Sequence, residues 1–142
     1  MKQTVFAAIL GVMAVPAMAQ EVVTQPFDGS FEDATFAVEN AIVGEGLVID
    51  FTSHVGEMLN RTGADVGSDV KIFEAADIFL FCSAQVSREV MEANPMNIAH
   101  CPYSIFVADQ GGEVVIGHRT YPEGEMQKVE ALLDGIVQSA LE

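Results

Sequence analysis

The sequence predicts an α+β fold of two layers, in which a mostly antiparallel sheet carries its helices on one face. Apolar residues recur at helical spacing in two long segments, residues 31–42 and residues 123–141, and each segment has a single apolar side. Between them lie four runs with strand character, and Gly111 and Gly112 separate the last two runs as in a β-hairpin. Two one-sided helices and a hairpin are typical of a sheet that is covered on one face.

The first half of the domain is expected to hold two strands and two helices. Residues 21–27 form the first strand, and Pro26 confines it to an edge of the sheet. Ser30 is the expected N-cap of the first long helix, because its hydroxyl can accept a hydrogen bond from a free backbone amide. Residues 47–52 form the second strand, in which alternation places Leu47, Ile49 and Phe51 on one face. The glycines that end the first helix are Gly44 and Gly46, and the apolar residues of the short second helix are Val55, Met58 and Leu59.

The second half is expected to hold three strands and two helices. The third strand lies within residues 70–82, and residues 78–82 are all apolar, which predicts a central strand buried on both faces. Ser83 is the expected cap of a short helix that ends near Asn94, because Pro95 disfavours a helical residue before it. The remaining elements are strands over residues 102–108 and 113–120 and a helix over residues 123–141.

The first nineteen residues have the pattern of a secretory signal peptide. Lys2 is followed by an apolar run, residues 5–15, that ends at Pro16 before the sequence Ala17-Met18-Ala19. This run is shorter than the ~20 residues that a transmembrane helix needs. We therefore expect cleavage between Ala19 and Gln20, a mature domain of residues 20–142, a periplasmic or secreted location and no stable membrane insertion. An uncleaved N-terminal anchor is the alternative.

The chain is strongly acidic. It has 6 Lys and Arg against 21 Asp and Glu, a formal net charge of -15. Removal of Lys2 with the signal peptide would make the net charge of the mature domain more negative by one unit. Such a surface repels phosphate backbones, which excludes nucleic acid as a partner. The same field favours a cationic protein or a cationic small ligand.

Cys82 and Cys101 are expected to end one strand and to begin the next. If these strands are antiparallel neighbours, both thiols lie at the same end of the sheet and a structural disulfide is within reach. The alternative is a ferredoxin-like sheet in which residues 83–94 form a crossover helix. A ten-residue helix spans ~15 Å, whereas a disulfide needs Cα atoms within ~7 Å. Two buried thiols or a redox site remain open as other uses of the pair.

A metal site is an alternative use of the same cysteines. His100 directly precedes Cys101, and Met96 lies four residues before His100. Cys, His and Met are ligands that suit copper, so these residues and Cys82 would form a soft-metal set. No C-x-x-C pair or repeated ligand spacing is present. We therefore predict no cofactor and keep copper, or another soft metal, as the alternative.

The histidines complete no known catalytic motif. Cys101 and His118 would serve as the nucleophile and base of a small hydrolase, but no nucleophile elbow or third orienting residue accompanies them. His54 follows the second strand and is expected to face solvent. The sequence thus favours a non-enzymatic protein, and a small hydrolase is the least favoured of three hypotheses for its function.

The central stretch of the chain, residues 81–107, carries a family pattern, which the strand at residues 115–119 extends. It resembles the "domain of unknown function 302" family of small bacterial and archaeal domains, with similarity from about residue 27 to residue 122. The resemblance implies a strand, a helix, four antiparallel strands and a helix, pairing as a homodimer, and no established reaction. The matching pieces are Phe81-Cys82-Ser83-Ala84, Ser87-Arg88, Met91-Glu92-Ala93, Pro95, Cys101-Pro102-Tyr103, Ile105-Phe106-Val107, Val115-Ile116-Gly117 and Arg119.

The leading prediction for function is an exported binding or accessory module. Its ligand or partner is expected near Arg88, His100 and His118, close to a structural disulfide between Cys82 and Cys101. The rival prediction is a periplasmic redox or copper-type metal-handling protein that uses the two cysteines with His100 and Met96.

Overall fold

The computed structural model describes residues 22–142, and the predicted signal peptide lies outside these residues. The described chain is an α+β domain with one sheet, which confirms the predicted fold class. Its strands are β1 (Val22–Pro26), β2 (Ile49–Ser53), β3 (Ala75–Phe81), β4 (Tyr103–Gln110) and β5 (Glu113–Arg119). Its helices are α1 (Phe31–Gly44), α2 (Val55–Thr62), α3 (Ala84–Ala93) and α4 (Gln127–Ala140), with 3-10 helices at Ala64–Val66 and Pro95–His100. None of the helices in residues 22–142 has the length and apolar character needed to span a membrane.

The sheet has the strand order β1-β5-β4-β3-β2, and all neighbouring strands are antiparallel. β3 and β4 are direct neighbours although α3 lies between them in the chain, so the crossover of the ferredoxin-like alternative is wrong. Gln110 pairs with Glu113 across a two-residue turn. Gly111 and Gly112 form that turn with φ values of 65° and 90°, a conformation that glycine adopts without steric cost. The predicted hairpin is confirmed.

One face of the sheet is covered by helices. Val38 of α1, Val90 of α3 and Leu133 of α4 are fully buried in the same core as Phe79 and Phe81 of β3. Burial of this kind stabilises a fold by about 25 cal/mol for each Å² of apolar surface removed from water. The largest fully buried strand residues on this covered face are Phe79, Phe81, Tyr103, Ile105, Val107, Ile116 and His118.

The opposite face of the sheet, which we call the open face, is not covered in this way. Ile78 and Leu80 alternate with the buried residues of β3 but remain partly exposed and outside the core. The prediction that β3 is buried on both faces is therefore wrong, because α1, α3 and α4 all bury their apolar residues on the other side. Strand register assigns these strand positions to the open face: Val22, Thr24, Pro26, Phe51, Ser53, Ala76, Ile78, Leu80, Ser104, Phe106, Ala108, Gln110, Glu113, Val115, Gly117 and Arg119.

A β-bulge in β2 changes the predicted alternation. Ile49 pairs with Phe81 and Phe51 pairs with Leu80, so Asp50 is an extra residue between them. A bulge of one residue turns the side chains that follow it to the other face. Ile49 packs against the core, whereas Phe51 is 64% exposed. The prediction that both point to one face is wrong.

The helix ends follow the predicted caps, with one difference. The Ser30 hydroxyl accepts from the Asp33 amide at 3.0 Å and the Ser83 hydroxyl accepts from the Val86 amide at 3.3 Å, so both predicted N-caps are confirmed. Helix α4 begins at Gln127 rather than at residue 123, because Gly124 has a φ of 90°, which no α-helix contains.

Candidate functional site

The two cysteines meet at one end of the sheet. Cys82 directly follows β3 and Cys101 lies two residues before β4, and the Phe81–Tyr103 pair brings these strand ends together. The Sγ atoms of Cys82 and Cys101 lie 2.7 Å apart, and both residues are partly exposed. The antiparallel arrangement, in which both thiols lie at the same end of the sheet, is the one that occurs.

The surroundings of this thiol pair disfavour negative charge. Burial, followed by the hydrogen bond with Cys101, raises the pKa of the Cys82 thiol from 9.0 to about 12. Burial also raises the pKa of Tyr103, whose hydroxyl accepts a hydrogen bond from Ser87 of α3 at 3.1 Å. At neutral pH Cys82 is therefore present as the neutral thiol. Only the thiolate form attacks or binds a metal, so the raised pKa of Cys82 disfavours both reactions.

A cleft lies next to the thiol pair, and aromatic rings form part of its wall. The ring of His100 meets the ring of Tyr121 edge-on, with centroids 5.9 Å apart, and Tyr121 in turn meets Tyr103 at 6.2 Å. The guanidinium of Arg119 lies 5.7 Å from the centroid of Tyr121. The cleft is lined by Val22, His100, Arg119, Thr120, Tyr121 and Pro122.

Two buried polar atoms beside this cleft have no hydrogen-bond partner within the described residues. They are Nδ1 of His100 and the hydroxyl oxygen of Tyr121. Burial raises the pKa of Tyr121 to about 12, and the nearby Cys101 acts in the same direction. A buried polar group without a partner costs about 1–3 kcal/mol, so such groups usually meet a water or a ligand.

Met96 is far more exposed than the other members of the predicted soft-metal set. Its side chain lies on the 3-10 helix Pro95–His100 and is 70% exposed. In residues 22–142 no three or more His, Cys, Asp or Glu side chains are grouped as a metal site would need. The set of Cys82, Met96, His100 and Cys101 stays a prediction.

His118 lies away from the thiols, under α4. It is 1% exposed, its Nε2 lies 2.9 Å from Oδ1 of Asp134, and its Nδ1 lies 2.9 Å from the carbonyl oxygen of Arg119. The Phe106–Gly117 register places it opposite Ile105, about 13 Å along the strand from Cys101 at ~3.3 Å per residue. The structure does not bring Cys101 and His118 together, and neither ring nitrogen of His118 is free.

Arg88 lies on the exposed side of α3. Its guanidinium contacts the carboxylate of Glu92 at 2.9 Å, one helical turn further on. It lines a shallow groove with Ala84, Ser87 and Met91. Of the predicted ligand region, only His100 is therefore found beside the cysteines and the cleft.

Sequence reasoning missed a second polar site, at the far end of β3. Nδ1 of His54 lies 2.7 Å from Oδ1 of Asp77, and the hydrogen bond and charge of Asp77 raise the pKa of His54 above 6.5. His54 is 61% exposed, as expected, whereas Asp77 is only 16% exposed. An Asp within the apolar strand β3 was the available signal, but its partner lies 23 residues away in the chain. The cleft around the pair is lined by Phe31, Glu57, Asn60, Arg61 and Glu74.

Comparison with known families agrees with this architecture. The model of the family described as "Domain of unknown function DUF302" matches residues 23–138. The chain belongs to the DUF302 family. A crystal structure of an uncharacterized conserved DUF302 protein from Bacillus stearothermophilus has a TM-score of 0.64 to this chain and 18% sequence identity. The match covers 87% of this chain and 97% of that one, and shows a shared DUF302 fold. A search of curated proteins found no match.

Proposed function

We propose that this DUF302 protein is an exported, non-enzymatic binding module whose binding end is held by a disulfide between Cys82 and Cys101. The observation that carries the proposal is the position of the thiol pair, with Sγ atoms 2.7 Å apart, next to the cleft of His100 and Tyr121. The two unpartnered polar atoms of that cleft offer hydrogen bonds to a ligand.

The disulfide would stabilise the ligand end of the sheet. It closes the chain between β3 and β4, a loop that includes α3 and the 3-10 helix Pro95–His100. Closing a loop of this length is worth about 3 kcal/mol by the chain-entropy estimate. An oxidising compartment is needed for the bond to persist, which is why the proposal includes cleavage after Ala19 and a periplasmic or secreted location.

The proposed partner is cationic, a protein or a small ligand. A formal charge of -15 on 142 residues creates a negative field that raises the local concentration of cations and speeds their encounter. Arg119 is the basic group at the cleft itself and is stacked on Tyr121, so the cation would approach from the side of His100 and Pro122.

A redox role for the same pair is the second candidate. It is favoured by the partial exposure of both cysteines, which leaves the pair open to an external thiol. Copper-type metal handling with His100 and Met96 belongs to this candidate. In both cases the thiols must be reduced for part of the working cycle.

The first experiment is an intact-mass measurement on protein recovered from the producing cell. Thiols are alkylated before and after reduction, under native and denaturing conditions. The proposal expects a mass that begins at Gln20 and two alkylations only after reduction. Two free thiols with a metal-sized mass addition under native conditions would favour the metal candidate. A retained leader would contradict cleavage after Ala19 and favour the uncleaved N-terminal anchor.

Binding is tested through tyrosine fluorescence. The chain has two tyrosines and no tryptophan, and both tyrosines lie at the thiol end. We expect tetralysine to change the emission, more strongly at low salt, and tetraglutamate to leave it unchanged. His100→Gln should weaken the response, whereas Arg88→Gln, outside the cleft, should not. Equal responses to both peptides would contradict a cationic partner.

A further inference from the structure

We propose that a small apolar cavity on the open face of the sheet is a binding site for one uncharged molecule with a single aromatic ring. The cavity has a volume of about 220 Å³ and lies at the end of β3 that is opposite to the cysteines. Ala76 in its floor is about 20 Å from Cys82 along the strand, at ~3.3 Å per residue. The site is therefore separate from the thiol cleft and does not depend on the function proposed for that cleft.

A pair of alanines forms the floor of the cavity. Ala76 of β3 and Ala108 of β4 are direct partners across the two strands. Both are buried, with 8% and 6% exposed, although they lie outside the helix-covered core. Ile78 and Phe106, the next open-face positions on the same two strands, have much larger side chains. The short alanine side chains therefore leave a hollow beside the larger ones.

Two residues from outside the sheet partly cover this floor. They are Val55, at the start of α2, and Phe73, two residues before β3. Gly56 lets α2 lie against β3, because an added Cβ would overlap the backbone nitrogen of Ala76. Asn60 of α2 holds the Phe73 segment, because its side-chain amide donates to the Phe73 carbonyl oxygen at 3.2 Å. The cover is thus fixed to the sheet by packing and by a hydrogen bond.

Two phenylalanine rings in the lining favour an aromatic ligand. They belong to Phe73 and Phe106, and aromatic rings that meet edge-on or offset attract each other beyond the gain from burial. An engineered apolar cavity of about 150 Å³ in another protein binds benzene, whereas drug-sized ligands occupy sites of about 300–1,000 Å³. The size of this cavity therefore suits one ring with a short substituent.

The charges of the protein favour an uncharged ligand. The formal net charge of -15 repels a carboxylate such as that of a fatty acid. Within the described residues, the lining of the cavity is apolar apart from Asp77 and Gln110. The Asp77 carboxylate is already hydrogen-bonded to His54 at 2.7 Å, so it is not free to pair with a cation. A charged group would therefore lose its water in this cavity without gaining a partner.

The first test follows the methyl groups of the two floor alanines by NMR. Protein with 13C-labelled alanine methyl groups is titrated with toluene and, separately, with benzoate, which has the same ring but carries a carboxylate. We expect toluene to shift the signals of Ala76 and Ala108 saturably, and benzoate to bind at least about tenfold more weakly. Absence of a saturable shift with toluene would overturn the proposal. Equal affinities for the two compounds would contradict the preference for an uncharged ligand.

The second test alters the cavity itself. Ala108→Leu should lower the affinity for toluene at least about tenfold, because the added carbons fill the floor, whereas Ala84→Leu, at an exposed position on α3, should leave it unchanged. Phe73→Ala removes a wall without filling the floor and should lower the affinity at least about threefold. Its control is Phe36→Ala on α1, where the ring is 67% exposed and outside the cavity.

Circular dichroism checks that each variant is folded, and the Phe73 and Phe36 pair decides the matter if the leucine variant does not fold. Undiminished binding of toluene to folded Ala108→Leu, or equal effects of the two phenylalanine variants, would overturn the proposed location.

A third test separates a small molecule from a side chain of a second copy as the occupant. The toluene titration is repeated over a range of protein concentrations. We expect the affinity for toluene to be the same throughout. An apparent affinity that falls as the protein concentration rises would show that another copy fills the cavity, and it would overturn the proposal.

Discussion

The two faces of the sheet are built from the same strands but end in different surroundings. On β3, Phe79 and Phe81 are 1% and 0% exposed beneath the helices, whereas Ile78 and Leu80 on the open face are partly exposed. Both sets are apolar, so residue type alone does not decide which face becomes the core. The helices decide it, because α1, α3 and α4 all direct their apolar residues to one side.

The largest expected effect comes from removing a buried ring on the covered face. Phe79→Ala should lower the free energy of unfolding by about 3–5 kcal/mol, because it leaves a cavity among packed side chains. Phe51→Ala on the open face should cost less than about 1 kcal/mol, because its ring is already largely hydrated. Urea unfolding at low protein concentration measures both. Equal costs would mean that the open face is covered within a single chain.

Two glycines extend the comparison to the backbone, because Gly117 lies on the open face of the sheet and Gly135 lies on α4. A Cβ at Gly117 would lie 2.5 Å from the Val23 carbonyl oxygen, whereas one at Gly135 on α4 would meet nothing within 4 Å. We expect Gly117→Ala to destabilise the protein by about 1–3 kcal/mol through overpacking. Gly135→Ala should stabilise it by about 0.5–1 kcal/mol, because alanine favours a helix interior. Thermal unfolding gives both signs, and stabilisation by both variants would contradict the close approach at Gly117.

The thiol end of the covered face should make the protein sensitive to alkali. The pKa values of Cys82 and Tyr121 are raised to about 12 from 9.0 and 10.0. Raised values mean that the neutral groups favour the folded state, so their contribution is complete below pH 9 and is lost as the pH rises toward about 12. The loss should be greater for the reduced protein, since a disulfide removes the Cys82 proton.

Unfolding curves for both redox forms at several pH values between neutrality and 12 check this prediction. Tyr121→Phe is the control, because it removes the titrating hydroxyl and keeps the ring. Its stability should fall less with pH than that of the unaltered protein. An identical fall in both would assign the alkaline sensitivity to other groups.

The smallest effect is expected at the exposed pair of His54 and Asp77. The pKa of His54 is raised above 6.5 by Asp77, so the pair stabilises the fold below pH 6.5 and this contribution is lost as the pH rises through the pKa of the folded state. Asp77→Asn should return the His54 pKa toward 6.5, as measured by NMR titration of the ring protons. Glu57→Gln should shift it less, because Glu57 contributes the weakest of the causes. A larger shift from Glu57→Gln would contradict the pairing.

Much of the fold could be predicted because its signals are local. The Ser30 cap, the Gly111–Gly112 turn and the apolar stripe of α4 each depend on neighbouring residues, and all three are present. The bulge at Asp50 could not be predicted, because it is defined by pairing with β3. The same applies to the exposure of Leu80, which depends on helices elsewhere in the chain.

The candidate site likewise has features that the sequence predicts and features that it does not. The sequence predicts that Cys82 and Cys101 lie at the same end of the sheet if their strands are antiparallel neighbours, because one residue follows a strand and the other precedes the next. The burial of His118 under Asp134 and the His54–Asp77 pair join residues 16 and 23 positions apart, and no local pattern marks such partners. The state of the cysteines, export and the identity of the ligand stay predictions.

The pairing of β1 with β5 also sets an order of assembly. Val22 pairs with Arg119, and β1 lies at the edge with β5 as its neighbour. The first strand to be synthesised therefore has no partner until nearly the whole chain is available, and long-range closures of this kind are slow steps in folding. During synthesis β1 would stay unpaired until β5 is available, and its docking would complete the sheet last.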